Sequence, residues 1–213
     1  MTDSSKNNGY PMDYIVTLDE FNRRGKILVN GSFDKNMSDW AAKQVKNSCE
    51  AAVELGLGYV MFVIDSQGGS TTTLQRFVSY MEMFRPNPDF KFVGFVSVDA
   101  HSAAFELLQY CDWRVAHAGA SLWGHYGKAS ISNADQVKLY ENSKDSLAYE
   151  KARIKETLRA YSKRSGLSEK QVHQFLKNDL PVTAQQALEL GFIDEIVDNI
   201  PVKSIKPDFS LNF

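Results

Sequence analysis

The stretch Phe92-Val93-Gly94-Phe95-Val96-Ser97-Val98-Asp99-Ala100-His101-Ser102-Ala103-Ala104 decides the fold. Phe92 to Val98 is a nearly unbroken apolar run, the mark of a strand buried on both faces of a sheet. Beyond Ser102, the residues Ala103, Ala104, Leu107, Leu108 and Cys111 make an apolar stripe at helical spacing. Ser102 therefore heads a helix at a strand-to-helix turn. There its hydroxyl meets the N–H groups that the first helical turn leaves without partners. A developing oxyanion is stabilised in that field. The other reading is an ordinary N-cap, for which serine is a preferred residue.

Outward from this stretch the same alternation recurs. Lys26 to Asn30, with Ile27, Leu28 and Val29 at its centre, reads as a first core strand. Ser38 offers an N-cap for a helix whose apolar face is Trp40, Ala41, Val45, Cys49, Ala52 and Val53 and which stops at Gly56. Tyr59 to Ile64 is a second core strand. It ends in the turn Asp65-Ser66-Gln67-Gly68-Gly69-Ser70, and a helix bearing Leu74, Phe77, Val78 and Met81 runs on before Pro86. Strand and helix in alternation predict βαβ units and a mainly parallel α/β sheet.

The second half departs from that pattern. Arg114 to Ala116 and Ser121 to Trp123 read as two short strands around His117-Ala118-Gly119-Ala120, a β-hairpin that His125 closes. From about Asn133 to Arg164 a single helix is expected, with Tyr140, Leu147, Ile154, Leu158 and Tyr161 on one face. At ~1.5 Å per residue it would span roughly 45–50 Å, longer than a domain of this size needs for its own core. Such a helix projects or packs on another subunit. Capping boxes at Ser168/Gln171 and Thr183/Gln186 mark two short closing helices. Gly191 ends the last one before an expected strand from Phe192 to Val197.

With 213 residues and a formal charge of −2, the chain is long enough for one sizeable core and is not built for nucleic acid. Residues 1–20 read as a mobile, polar N-terminal segment, 21–200 as a single domain and 201–213 as a C-terminal tail. Met1 to Tyr10 lacks the apolar core of a signal peptide, and no apolar run approaches the ~20 residues of a membrane span. A cytoplasmic setting is the expectation. Cys49 and Cys111 read as small apolar core residues, and the four histidines show no ligand spacing, so no metal and no cofactor are expected.

Order along the chain singles out Ser102, His125 and Asp179, each at an element boundary, as nucleophile, base and orienting carboxylate. Each has a plainer alternative: a cap, a structural histidine, a solvated loop carboxylate ahead of the Thr183 cap. Gly68-Gly69 after a core strand permits positive φ and close backbone approach to a ligand oxygen; a sterically tight βα turn explains it equally. Neither G-x-G-x-x-G nor G-x-x-x-x-G-K is present. His101 is tempting as a base, but neighbouring residues at a helix start project apart. His117 and His173 read as structural or surface residues.

These residues together resemble the Clp peptidase family, within the wider ClpP/crotonase fold, from about Lys26 to Asn199. Ser66-Gln67-Gly68-Gly69-Ser70 stands where the family carries S-P-G-G-S, and Ala100-His101-Ser102-Ala103-Ala104 resembles its nucleophile segment. Ser102-Ala103-Ala104, with Asp112 beyond it, is similar to the ClpP-like maturation proteases of phages. Trp123-Gly124-His125 resembles the family's M-I-H. Asp179, Thr183 and the run Ala187-Leu188-Glu189-Leu190-Gly191-Phe192-Ile193-Asp194 resemble its closing segment. The chain departs from the pattern at His101, in place of a small residue, at Gln67 and Gly127, in place of prolines, and at Asn178, in place of an arginine that couples rings. Met61 and Val63 replace tyrosines of the unfoldase-docking pocket.

The resemblance implies a ClpP/crotonase-type βαβ spiral with a protruding handle helix. It implies a serine endopeptidase acting on unfolded polypeptides or short peptides inside an oligomeric chamber, ATP-dependent only through a partner AAA+ unfoldase. Ser102, His125 and Asp179 would form the triad, with the N–H groups of Gly68, Gly69 and Ala103 as the oxyanion hole. Partners would be further copies of the chain, as two stacked heptamers. An inactive ring subunit of the same fold and a phage-type procapsid protease are the alternatives. A crotonase-type acyl-CoA enzyme fits less well, as it needs no serine nucleophile and the chain lacks a nucleotide-pocket signature.

Overall fold

The computed structural model describes residues 26–87, 90–126 and 143–198. Among these residues seven strands form one sheet: β1 (Lys26–Phe33), β2 (Tyr59–Gly69), β3 (Lys91–His101), β4 (Trp113–His117), β5 (Ser121–Trp123), β6 (Val182–Thr183) and β7 (Glu195–Val197). Six helices among the described residues connect or flank them: α1 (Lys35–Glu54), α2 (Thr71–Phe84), α3 (Ala103–Tyr110), α4 (Ser143–Ser165), α5 (Glu169–Asn178) and α6 (Ala184–Glu189). The expected 1–20 segment, the 201–213 tail, Gly127 and the first part of the expected handle helix, with Tyr140, lie outside the described residues.

The central order β1-β2-β3-β4-β7 is parallel throughout. The apolar runs alternate across it as the strand period requires. Val60, Phe62, Ile64, Phe92 and Val96 join Ile27 and Val29 in the main core, against Val45, Cys49 and Ala52 of α1 and Leu74, Phe77 and Met81 of α2. Met61, Val93, Phe95 and Val115 form a second cluster from the intervening positions. Phe62 sits between Phe77 and Phe92 with ring centroids 6.1 Å away on each side. Each such fully buried ring contributes roughly 2–3 kcal/mol of transfer free energy.

Several local expectations change. The cap of α1 is Asp34, whose carboxylate accepts from Met37 N at 2.8 Å, while Ser38 lies buried inside the helix. Val53, assigned to the buried face, is 55% exposed. β2 does not stop at Ile64: it runs through the Gly-Gly pair, with register shifts on both sides that mark a bulge. Phe192 and Ile193 are buried, but the last strand begins only at Glu195. Both capping boxes form as expected.

The hairpin is overturned. β4 and β5 do not pair with each other; both lie parallel against β3, one beyond the other. Val93 to Val96 pair with Trp113 to Ala116, and Asp99 to His101 pair with Ser121 to Trp123. β5 then takes β6 as an antiparallel neighbour. The far end of β3 is thus flanked by β2 and β5, where the candidate site assembles. At the C-terminal end of α4, Tyr161 is buried edge-on against Phe105 and Phe192, so the described part of the long helix is anchored to the core.

Candidate active site

β3 delivers its last residue, His101, to the sheet edge, and the chain turns at Ser102 with φ 53° and ψ −121°. Among the described residues only two non-glycines have positive φ, Ser102 and Asp179. Such conformations cost roughly 1–3 kcal/mol and persist where surrounding structure enforces them. Here the enforcement is visible. Ser102 N donates to Trp123 O at 2.7 Å, and Ser102 O accepts from Glu106 N at 3.0 Å. The Ser102 side chain makes no capping hydrogen bond, so the N-cap alternative does not describe it. Ser102 is half-buried at the head of α3, and Ala103 is the first helical residue.

The Gly68-Gly69 turn lies against this point. A Cβ on Gly68 (φ 79°) would strike the His101 carbonyl oxygen and would come within 2.7 Å of Ala103 N and 2.8 Å of Ser102 Cβ. The glycine is required both by φ and by the approach of two backbones. The Gly68 N–H donates to Ser66 Oγ at 3.0 Å, and Ser66 Oγ donates in turn to Gly31 O. A substrate oxygen reaching Gly68 N–H would therefore replace the Ser66 hydroxyl.

His125 follows β5 by two residues and is half-buried. Its ring stacks on Trp123, centroids 4.8 Å apart and planes 26° off parallel. Nδ1 lies 2.9 Å from Tyr126 O. A carbonyl only accepts, so Nδ1 carries the proton and Nε2 has the lone pair a general base needs. Asp179, the left-handed C-cap of α5 (φ 52°, ψ 40°), is exposed. It is not what holds His125 Nδ1 here. The strand registers bring the segments that carry these residues to the same end of the sheet. His101 pairs with Trp123, so the parallel ladder continues to Ser102 beside Gly124, one residue from His125. On the other side Leu122 pairs with Val182 and Ser121 with Thr183, which brings β6, three residues after Asp179, alongside the strand that leads to His125. His173 of α5 also reaches the His125 segment, with Nδ1 2.7 Å from the Tyr126 hydroxyl.

The histidine beside Ser102, His101, is structurally engaged on both ring nitrogens. His101 is 9% exposed. Its Nδ1 lies 2.8 Å from Gln67 Oε1, and its Nε2 lies 2.9 Å from Ser121 Oγ and 3.5 Å from Asp99 Oδ1. Burial lowers its pKa from the ordinary 6.5, against the opposing pull of the Asp99 carboxylate. His117 is structural, held by Gly119 N and Asp198 O. Asp194, at the end of the closing motif, accepts from the Arg114 backbone and guanidinium at 2.5 to 3.0 Å and ties that turn to β4. An open groove of about 860 Å³ between α2, α3 and α4 reaches His125 and Tyr126, but Ser102 and the glycine turn are not among its walls. No group of three or more candidate metal ligands occurs among the described residues, and none of their helices is long and apolar enough to cross a membrane.

A mostly parallel sheet with flanking helices, closed by a strained serine turn packed against a glycine pair, is the α/β architecture of a ClpP-type peptidase. The family model for Clp protease matches residues 14–200, and the chain belongs to that family. No curated protein matches the chain.

Proposed function

We propose that the protein is a Clp-type serine endopeptidase in which Ser102 is the nucleophile, His125 the general base and Asp179 the group that orients it. The observation carrying this reading is the Ser102 turn: a positive-φ serine, its hydroxyl not used for capping, at a ladder position beside the His125 segment. His125 Nε2 takes the Ser102 Oγ proton as Oγ bonds to the substrate carbonyl carbon, and the carbonyl π pair moves to oxygen. The oxyanion is held by Ala103 N–H together with the Gly68–Gly69 turn, each donor being worth roughly 3–4 kcal/mol. Collapse expels the amine, which receives the proton from His125 Nε2. Water, deprotonated by the same nitrogen, then cleaves the acyl ester and frees Ser102. In this cycle Asp179 takes the Nδ1–H that Tyr126 O holds in the structure, stabilising the imidazolium.

Substrates of this chemistry are unfolded polypeptides or short peptides admitted to a chamber built from copies of the chain, as ring assembly in the family suggests. A mass of a single protomer at micromolar concentration by light scattering would contradict the chamber. The second reading, an inactive assembly subunit, is favoured by the engagement of His125 with Tyr126 O. A fluorophosphonate probe with mass-spectrometric mapping separates the two. Ser102 should be labelled, and Ser102→Ala or His125→Ala should abolish both labelling and peptide hydrolysis. Labelling that survives in Ser102→Ala would sink the assignment.

A further inference from the structure

Gln67 and His101 are two of the positions at which the chain leaves the family pattern, and they are hydrogen-bonded to each other across 34 residues. Gln67 Nε2 donates to Asp99 Oδ2 at 2.7 Å. A carboxylate only accepts, so this contact fixes the amide with Oε1 toward His101. Oε1 in turn only accepts, so His101 Nδ1 carries a proton. In the neutral ring Nε2 then accepts from the Ser121 hydroxyl at 2.9 Å. For the neutral ring these three hydrogen bonds have one consistent polarity, with Asp99 Oδ1, 3.5 Å from Nε2, as the group that opposes it.

Its placement gives it a role. Gln67 directly precedes Gly68, and His101 directly precedes Ser102. The His101 ring also meets Trp123 edge to face, with centroids 5.7 Å apart and planes at 83°, and Trp123 stacks on His125. The imidazole that adjoins the nucleophile in sequence thus touches Gln67, next to the oxyanion turn, and Trp123, which stacks on the base. We infer that His101 is a positioning residue that clamps the Gly68–Gly69 turn and the His125 segment onto the Ser102 turn through Gln67, Ser121 and Trp123. The inference rests on Ser102 being the nucleophile and deepens that reading. A lowered His101 pKa agrees with it, since the clamp described is that of the neutral ring.

The test is a double-mutant cycle on the assembled protein with a fluorogenic peptide. His101→Ala and Gln67→Ala should each lower kcat roughly 10- to 100-fold, the scale of a misplaced donor or base, with KM within about two-fold. Because both act through one contact, the double variant should be no worse than the weaker single. His101→Asn retains a donor near the Nδ1 position but loses Ser121, and should fall between wild type and His101→Ala. A kcat unchanged in His101→Ala, or losses that multiply in the double variant, would overturn the clamp. Ring ¹⁵N shifts of histidine-labelled protein decide it independently of catalysis. His101 should hold a single Nδ1–H tautomer near pH 7.5 and lose that preference in Gln67→Ala. An Nε2–H tautomer in wild type refutes the clamp. A wild type whose Ser102 resists the probe while His101 keeps its Nδ1–H tautomer refutes only the peptidase reading.

Discussion

Replacing Gly68 by alanine tests whether the glycine turn takes part in chemistry or only in packing. The added Cβ meets the His101 carbonyl oxygen, Ala103 N at 2.7 Å and Ser102 Cβ at 2.8 Å, mostly backbone atoms that cannot rotate away. Positive φ costs a non-glycine residue about 1–2 kcal/mol, and overpacking of this kind adds about 1–3 kcal/mol. For a chain of this length each kcal/mol shifts Tm by about 2–4 °C, so Gly68→Ala should melt roughly 5–20 °C below wild type. Gly56 supplies the control: its φ is 63° and a Cβ there meets nothing within 4 Å. Gly56→Ala carries the φ cost alone and should lose only about 2–8 °C. The entropy that alanine removes from the unfolded chain stabilises both variants alike and drops out of the comparison. Assayed below both melting points, with circular dichroism verifying the fold, Gly56→Ala should keep the wild-type kcat. Gly68→Ala should lose about 10²–10³ of it, the scale of one oxyanion donor. A folded Gly68→Ala that hydrolyses peptide at the wild-type rate would show the turn to be structural. A Tm loss no larger than that of Gly56→Ala would refute the close approach itself.

Three further outcomes follow from groups outside the reacting atoms. Asp194→Ala strands the 4%-exposed Arg114 without its carboxylate; with Asp194 itself partly exposed, the loss should sit near about 3 kcal/mol, read by urea denaturation, and a loss below 1 kcal/mol would refute it. Cys49 and Cys111 are fully buried, with the Cys49 thiol pushed up to about 12 by burial and the Cys111 thiol raised further, so neither should react with a disulfide reagent at pH 8 until urea unfolds the chain. His101, whose pKa burial lowers, takes up its proton later than in the unfolded chain as pH falls. Its share of stability is therefore whole above 6.5 and declines below that value until the folded ring protonates. The facing titratable group among the described residues is Asp99, through Nε2. The stability of wild type relative to His101→Asn, from melts between pH 7.5 and 5.5, should decrease toward acid; an increase would mean that Asp99 outweighs desolvation.

What could be read without coordinates follows the range of the forces involved. Apolar runs such as Tyr59 to Ile64 and Phe92 to Val96 declare buried strands because burial on two faces leaves no room for polar residues; the expected run to Val98 is cut short, since Val98 is 51% exposed. Both capping boxes were legible because they are local, closed by residues three apart. The cap of α1 is not legible locally because Asp34 and Ser38 are equally good caps; the choice falls to Asp34 because β1 continues to Phe33 in pairing with Gly69. The hairpin failed for a related reason: β4 and β5 are short strands in sequence proximity, and only the long-range ladder to β3 shows that they lie end to end along one strand. At the site, residue types and order picked out Ser102, His125 and Asp179. Nothing in their types announces the positive φ at Ser102, which comes from the Trp123 carbonyl and the neighbouring glycine backbone. Gln67 and His101, compared one position at a time, each read as the loss of a family feature. In space the amide of one completes the hydrogen-bonding of the other. A glutamine in place of a ring-constrained proline leaves the turn before Gly68 with more backbone freedom, and its two side-chain hydrogen bonds are the means by which that freedom is removed again.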